Sequence, residues 1–383
     1  MGEGSWSTAG RRAGIAGAAI GVVAAGAAAG IALERATVGR GMRRRARLAL
    51  DAASPFGTVR GTPGRTTSDD GTELYYEVED VPEPPAGAKG RRRRFGRKAA
   101  GPLTVVFCHG YCLSQDAWHY QRLALRGLVR AVYWDQRSHG RSGRSQSPDV
   151  SIDLLGRDLK AVLDAAAPGD GPVVLVGHSM GGMTVMAFAD QYPDLVDARV
   201  AGVALVGTSV GGLGQVNYGL PVAGVRAVRR FVPGVLKALG SQAELVERGR
   251  RATADLFGGL VKRYSFGAQD VDPAVARFAE RLIESTPIDV VAEFYPAFGE
   301  HDKTEALEHF DGVPALVLVG DKDLVTPASH SEVMARLLPE AEHVVVPDAG
   351  HLVMLEHPEA VDAALTDLLT RAGATTLPVP DAL

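Results

Sequence analysis

Ser179 has the surroundings that most clearly favour chemistry in this chain. It follows the apolar, β-branched run 173–176 within a Gly-x-Ser-x-Gly motif, and such a motif between a strand and a helix exposes a serine hydroxyl on a sharp turn. A side chain at Gly177 or Gly181 would crowd that turn, so glycine at both positions has a physical reason. A serine hydroxyl becomes a good nucleophile only when a base takes its proton. The motif therefore predicts a nucleophile, with an ordinary glycine-rich loop as the alternative.

Two later segments supply the groups that such a serine needs. The apolar run 344–346 is followed by a turn and then by His351, which we predict to be the general base. The apolar run 315–319 leads to Asp321 and Asp323, and a carboxylate there would orient the imidazole. We predict that Asp323 has this role. Asp321 is the alternative, since either acid could instead be a turn former.

A third segment predicts the donors for a developing negative charge. The strand-like run 103–107 breaks at a His-Gly pair. We predict that the backbone N–H groups of Tyr111 and Met180 form an oxyanion hole. The residues predicted to shape the site around these donors are His109, Gly110, Gly177, His178 and Gly181.

The elements that must position these residues alternate between apolar strands and amphipathic helices. Strands are predicted near 103, 129, 173, 201, 314 and 342, with helices near 118, 151, 180, 328 and 358. This alternation predicts an α/β protein with a mostly parallel sheet and helices on both faces. Asp69-Asp70-Gly71 predicts the turn of an antiparallel hairpin before that sheet. The hundred or so residues after Gly207 exceed a simple crossover, and we predict a helical cap there, before the penultimate strand.

The order Ser179, Asp323, His351 along the chain is that of the α/β-hydrolase triad, and the chain resembles that superfamily over residues 57–372. Because the nucleophile is serine and not aspartate, the resemblance implies acyl transfer through a serine ester. Esterases, lipases, carbon–carbon bond hydrolases and cofactor-free haloperoxidase or perhydrolase-like members use this chemistry. One departure is Ser138, where relatives usually carry the glycine of Arg-Gly-His, and it bears on the shape of the site wall. The segments that carry the resemblance are His109-Gly110, Asp135 to Ser142, Gly177 to Gly181, Gly320 to Asp323 and Gly350-His351.

We therefore expect a serine hydrolase that cleaves carboxylic esters of a fairly apolar substrate. Three methionines near the proposed chemistry favour an apolar site, and cap aromatic residues are either pocket walls or packing. A perhydrolase or acyltransferase, a carbon–carbon bond hydrolase, and a non-enzymatic ligand sensor or scaffold are the alternatives. The three methionines are Met180, Met183 and Met354. The aromatic residues of the cap are Tyr264, Phe266, Phe294, Tyr295 and Phe298.

The composition fits an enzyme without a bound cofactor. The chain has 383 residues, of which 46% are hydrophobic and 22% charged, and its net charge is -4. That charge does not favour nucleic acid as a partner. No metal-binding or dinucleotide-binding motif occurs in the sequence, so no cofactor is predicted. Cys108 and Cys112 flank the loop of the oxyanion hole, and we expect both to be thiols.

Two segments indicate a membrane. Residues 13–33 form an uncharged run of 21 residues, and as a helix they would be roughly 31 Å long, enough to cross a bilayer. More arginines follow this run than precede it, so we expect a single-pass anchor with the catalytic part in the cytoplasm. A cleaved twin-arginine signal beginning at Arg11-Arg12 is the alternative. The basic segment 89–98 is either a solvated loop or a surface for anionic lipid.

The predicted organisation has five parts, and the sequence does not predict an oligomeric state. They are an N-terminal anchor with its basic flank at 1–50, a first core part at 51–207 with a basic insertion at 82–101, a cap at 208–312, a second core part at 313–372, and a tail at 373–383.

Overall fold

A computed structural model describes residues 49–50, 55–82, 102–217, 220, 222–242, 254–268 and 270–374. The predicted anchor at 13–33 and the basic segment at 89–98 lie outside the described residues. Within the described ranges, no helix combines the length and apolar character that crossing a bilayer requires.

Eight strands form one sheet in the order β1-β2-β4-β3-β5-β6-β7-β8. The first two strands form an antiparallel hairpin that pairs antiparallel with β4, and all other neighbours are parallel. The predicted class, an α/β-hydrolase fold with a mostly parallel sheet, is therefore confirmed. The strands are β1 Thr62–Thr67, β2 Glu73–Glu79, β3 Thr104–Cys108, β4 Arg130–Trp134, β5 Val173–His178, β6 Val200–Val206, β7 Ala315–Gly320 and β8 Glu342–Val346.

Helices cover both faces of this sheet because the parallel strands are apolar on both sides. In β3, Val105 and Val106 are both fully buried but lie in separate hydrophobic clusters, one on each face. Leu155 and Leu159 pack on the first face, and Leu365 packs on the other. The core helices are α1 His119–Leu125, α2 Ile152–Ala166, α3 Met180–Gln191, α4 Pro193–Arg199, α9 Ala328–Leu337, α10 Val353–Glu356 and α11 Pro358–Arg371.

Four described helices lie between β6 and β7, in the interval predicted for the cap. The first packs against the last, and the middle two pack against each other. The cap helices are α5 Val222–Gly240, α6 Ala254–Ser265, α7 Pro273–Glu284 and α8 Ile288–Glu300. Short 3-10 helices occur at Gln115–Trp118, Leu213–Gln215 and Glu305–Phe310.

The parallel strands place the predicted site residues at one edge of the sheet. The carboxyl ends of β3, β5, β7 and β8 lie together because neighbouring parallel strands run in register. The basic insertion leaves β2 at Glu79 and returns at Thr104. Since β2 runs antiparallel to β4, Glu79 and Thr104 both lie at the end of the sheet opposite to the carboxyl ends of the parallel strands.

Candidate active site

Ser179 occupies a strained turn between β5 and α3. Its φ is 54° and its ψ is -119°, a backbone conformation that is rare for a residue with a side chain. The turn is held by a hydrogen bond from the Ser179 N–H to the carbonyl oxygen of Val206, at 3.0 Å. Such backbone strain is typical of functional sites.

Two glycines allow this turn to form. A Cβ on Gly177 would lie 2.4 Å from the carbonyl oxygen of Gly181, and a Cβ on Gly181 would lie 2.1 Å from that of Cys108. Both distances are far below a van der Waals contact. The strand, the turn and the following helix can therefore approach each other only because these two positions carry no side chain.

The structure brings Ser179, His351 and Asp323 together. The Nε2 of His351 lies 3.0 Å from Ser179 Oγ, and its Nδ1 lies 2.8 Å from Asp323 Oδ2. Because a carboxylate only accepts hydrogen bonds, the proton of a neutral imidazole belongs on Nδ1. That arrangement leaves a lone pair on Nε2, directed at the serine hydroxyl.

Asp323 is held as an anion by its surroundings. Burial by itself would raise the pKa of Asp323, but the charge and hydrogen bond of His351 and the hydrogen bonds of Thr326 outweigh it, so the pKa lies below its ordinary value. Thr326 donates through its backbone N–H at 2.8 Å and through its hydroxyl at 2.9 Å. Asp321, the alternative acid, is exposed to solvent.

The backbone around Gly110 lies beside the nucleophile. A Cβ placed on Gly110 would lie 3.1 Å from the Cβ of Ser179 and 2.7 Å from Nδ1 of His178. The predicted oxyanion donors, Tyr111 and Met180, follow Gly110 and Ser179 directly. Within the described part of the chain, no loop or turn carbonyl accepts the N–H of either residue. These two N–H groups remain the candidate donors to a substrate oxygen.

Three buried histidines surround the site in neutral form. Burial is the main reason that the pKa values of His109 and His178 fall to about 3 and that of His139 to about 4. The Nε2 of His109 accepts the N–H of Gln136 at 2.9 Å. The Nε2–H of His178 donates to the carbonyl oxygen of His351 at 2.8 Å. These rings hold loops in place and leave His351 as the candidate base.

Aromatic side chains of the cap meet the site at Tyr111. The Tyr111 ring lies 4.9 Å edge-on from Phe298, and Phe294 stacks against it at 6.3 Å. Phe294 is fully buried and Phe266 is nearly so, which is packing. Phe298 and Tyr111 are partly exposed, which fits a pocket wall.

Two residues that organise the site are not among the site residues predicted from the sequence. Thr326 is one, and its signal is the Asp-x-x-Thr spacing that lets a side chain accept a local backbone N–H. His139 is the other: it accepts the N–H of Cys112 at 3.2 Å. Cys112 has a φ of 59°. No pattern in the sequence indicates that left-handed conformation.

Comparisons with known proteins identify the family of this chain. A family model described as "alpha/beta hydrolase fold" matches residues 104–358. The chain belongs to the alpha/beta hydrolase family. The resemblance drawn from the sequence is therefore confirmed.

This α/β hydrolase has curated relatives of several kinds. It is 31% identical over 268 residues to the sn-1-specific diacylglycerol lipase ABHD11 of Mus musculus, covering 69% of this chain and 80% of that protein. It is 28% identical over 309 residues to a non-heme haloperoxidase of Rhodococcus erythropolis, covering 79% of this chain and 98% of that one. Among solved structures, a thermophilic esterase from Thermogutta terrifontis superposes with a TM-score of 0.60 at 26% identity, covering 82% and 99% of the two chains.

Proposed function

We propose that this α/β hydrolase cleaves carboxylic ester bonds of an apolar substrate through an acyl-enzyme on Ser179. The observation that carries the proposal is the pair of contacts of His351, 3.0 Å to Ser179 Oγ and 2.8 Å to Asp323 Oδ2. Nucleophile, base and orienting acid are thus within hydrogen-bond reach. The lipase and esterase among its relatives support an ester as the substrate class.

In the proposed first half-reaction, His351 Nε2 removes the hydroxyl proton of Ser179 as Oγ attacks the ester carbonyl. Asp323 stabilises the imidazolium that forms and keeps its Nδ1–H in place. The N–H groups of Tyr111 and Met180 bind the oxyanion, each contributing roughly 3 kcal/mol in comparable sites. The imidazolium then gives its proton to the leaving alcohol, and the acyl group remains on Ser179.

Water completes the cycle by the same route in reverse. His351 takes a proton from water as the water oxygen attacks the acyl carbonyl, and returns that proton to Ser179 Oγ when the ester bond breaks. The products are a carboxylic acid and the free enzyme. No group other than the described residues is needed for the proton transfers.

Labelling with a fluorophosphonate tests the assignment directly. We expect the folded wild-type protein to be labelled once, and Ser179→Ala to lose labelling together with hydrolysis of p-nitrophenyl esters. Ser241→Ala is the matched control, because Ser241 is exposed on the surface and its hydroxyl donates to the carbonyl oxygen of Ala238 in the preceding helix. A folded wild-type protein that takes no label would favour a ligand sensor or scaffold.

A second candidate is perhydrolysis or transfer to an alcohol by the same residues. The similarity to a haloperoxidase favours it, because only the acyl acceptor differs from hydrolysis. Hydrolysis of an ester in the presence of hydrogen peroxide or a short alcohol separates the two. Formation of peracid or of the new ester faster than the carboxylic acid would identify the acceptor. A carbon–carbon bond hydrolase would instead cleave a dienone-type substrate.

We also propose that residues 13–33 anchor the protein in a membrane with the catalytic part in the cytoplasm, and that residues 89–98 contact anionic lipid. The basis is the uncharged run, its arginine-rich flank and the basic segment in the sequence. A protein lacking residues 1–50 is tested for binding to anionic vesicles at low and high salt, with and without residues 86–99. Binding that does not change on deletion rejects the lipid contact.

A further inference from the structure

The loop that carries His351 is in backbone contact with the cap. The N–H of Leu352 donates to the carbonyl oxygen of Ser265 at 2.8 Å, and Ser265 is the last residue of cap helix α6. A Cβ placed on Gly350 would lie 2.6 Å from the amide nitrogen of Gly267. The end of the cap helix and the histidine loop therefore fit together without room for a side chain between them.

The carboxylate of Glu356 joins these two segments. Its Oε1 accepts the N–H groups of Gly267 at 2.9 Å and Ala268 at 2.7 Å, and its Oε2 accepts the N–H of Gly350 at 2.7 Å. Hydrogen bonds from N–H groups to a carboxylate are stronger than those to neutral acceptors. One side chain thus satisfies donors on the cap and on the core at once.

The hydrogen bonds of Glu356 lie next to the candidate base. Gly350 immediately precedes His351, so Glu356 fixes the backbone on one side of the imidazole. On the core side, the Nε2–H of His178 donates to the His351 carbonyl oxygen at 2.8 Å. His178 thus holds the loop on one side, and on the other side Glu356 of core helix α10 connects it to cap residues Gly267 and Ala268. The imidazole that lies 3.0 Å from Ser179 Oγ belongs to this loop.

We propose that Glu356 is a positioning residue that couples the seating of the cap to the placement of the His351 imidazole. This inference rests on the serine hydrolase function proposed above. Glu356 touches neither the reacting atoms nor the hydroxyl of Ser179. When the cap segment 265–268 leaves the core, Glu356 loses two of its three donors and the histidine loop loses its outer support. The base is then aligned only while the cap is seated.

Glu356→Ala and Glu356→Gln test the proposal on the full chain, with p-nitrophenyl acetate as substrate and a fluorophosphonate to count active sites. For Glu356→Ala we expect turnover per titrated site to fall about tenfold or more, because small misplacements of a catalytic group have effects of that size. KM for the small acetate should change less than about twofold, since no substrate contact is lost. Glu356→Gln should be intermediate, because its amide oxygen still accepts from the cap.

Glu359→Gln is the matched control and should turn over like the wild type. Glu359 is an exposed carboxylate in the first turn of α11, three residues further along the chain. A second readout is the downfield proton resonance of the His351 Nδ1–H. We expect this resonance to broaden or vanish in Glu356→Ala and to persist in Glu359→Gln, because exchange with water increases when the loop moves.

The titration separates positioning from a merely structural role. Fewer titratable sites with unchanged turnover per site would overturn the proposal, because Glu356 would then only keep the protein folded. If Glu356→Ala does not fold, the turnover per titrated site of Glu356→Gln is compared with that of the wild type instead. A folded wild-type protein without any titratable site would overturn the serine hydrolase function itself, which is a different result from a variant that titrates fully and turns over normally.

Discussion

The phenolic hydroxyl of Tyr111 donates a hydrogen bond to the backbone carbonyl oxygen of Val291. The residue whose N–H is a candidate oxyanion donor is thereby tied to cap helix α8. Its ring also packs on Phe298 from the same helix. Tyr111 therefore has two separable parts. Its backbone N–H is a candidate oxyanion donor, and its side chain contacts the cap.

Tyr111→Phe should separate these two parts. The backbone N–H and the ring remain, so we expect hydrolysis of p-nitrophenyl acetate to stay near the wild-type rate. Loss of the hydroxyl removes about 1 kcal/mol of support for the cap, equivalent to about fivefold. We expect kcat/KM for long acyl esters to fall by this factor, because these substrates depend on the cap as a wall of the pocket. Tyr120→Phe, on core helix α1, is the control, and an equal loss for short and long esters would contradict this division.

The choice of acid gives a sharper prediction. Asp323→Asn should lower kcat by about 10³- to 10⁴-fold, because an amide nitrogen facing Nδ1 favours the wrong tautomer of His351. Asp321→Asn should keep more than half of the wild-type kcat, since that side chain is exposed. Both variants are compared in one ester assay after titration of active sites. Similar losses in the two proteins would contradict the assignment of Asp323.

The positions of Ser179, Asp323 and His351 could be predicted from sequence because each follows an apolar strand. Parallel strands bring their carboxyl ends to one edge, so three local patterns became one site. The sequence alone does not separate Asp323 from Asp321. Both follow the same strand within three residues, and only the three-dimensional arrangement shows which carboxylate is buried against the imidazole.

Contacts between the cap and the core could not be predicted from the sequence. Tyr111 and Val291 are separated by 180 positions, and Glu356 reaches Gly267 across 89. Neither pair has a local pattern that marks it. Their contacts depend on how the cap is seated, which hydrophobic periodicity within each helix does not specify.

Ser138 gives a prediction about stability. Its φ of 62° is a left-handed conformation, and its Oγ accepts the N–H of Ser145 at 3.0 Å. The hydrogen bond offsets part of the backbone strain. The free energy of unfolding of Ser138→Gly should lie within about 1 kcal/mol of the wild-type value, because this variant loses the hydrogen bond but also loses the strain.

Ser138→Ala separates the hydrogen bond from the strain, because compared with the wild type it loses only the hydrogen bond. Both variants leave the Ser145 N–H without its acceptor, but alanine keeps the backbone strain that glycine relieves, so Ser138→Ala should be about 1 kcal/mol less stable than Ser138→Gly. Urea unfolding of the three proteins at neutral pH gives both differences. An alanine variant as stable as the glycine variant would show that strain at this position has no measurable effect.

The neutral histidines predict a loss of stability in acid. His109, His139 and His178 have folded-state pKa values of about 3, 4 and 3, whereas an unfolded chain binds the proton near pH 6.5. The unfolded state therefore takes up more protons as the pH falls below about 6.5. Each histidine should lower the free energy of unfolding by about 1.4 kcal/mol per pH unit, until the folded-state pKa is reached.

His139→Gln tests this quantitatively, because it removes one of the three titrating rings. Between about pH 6 and pH 5, the free energy of unfolding should fall less steeply in His139→Gln than in the wild type, by about 1.4 kcal/mol per pH unit. Urea unfolding at four pH values measures both slopes. The comparison of slopes is independent of any constant loss of stability from the substitution itself. Identical slopes would mean that His139 takes up its proton equally in the folded and unfolded states, contrary to the burial of its ring.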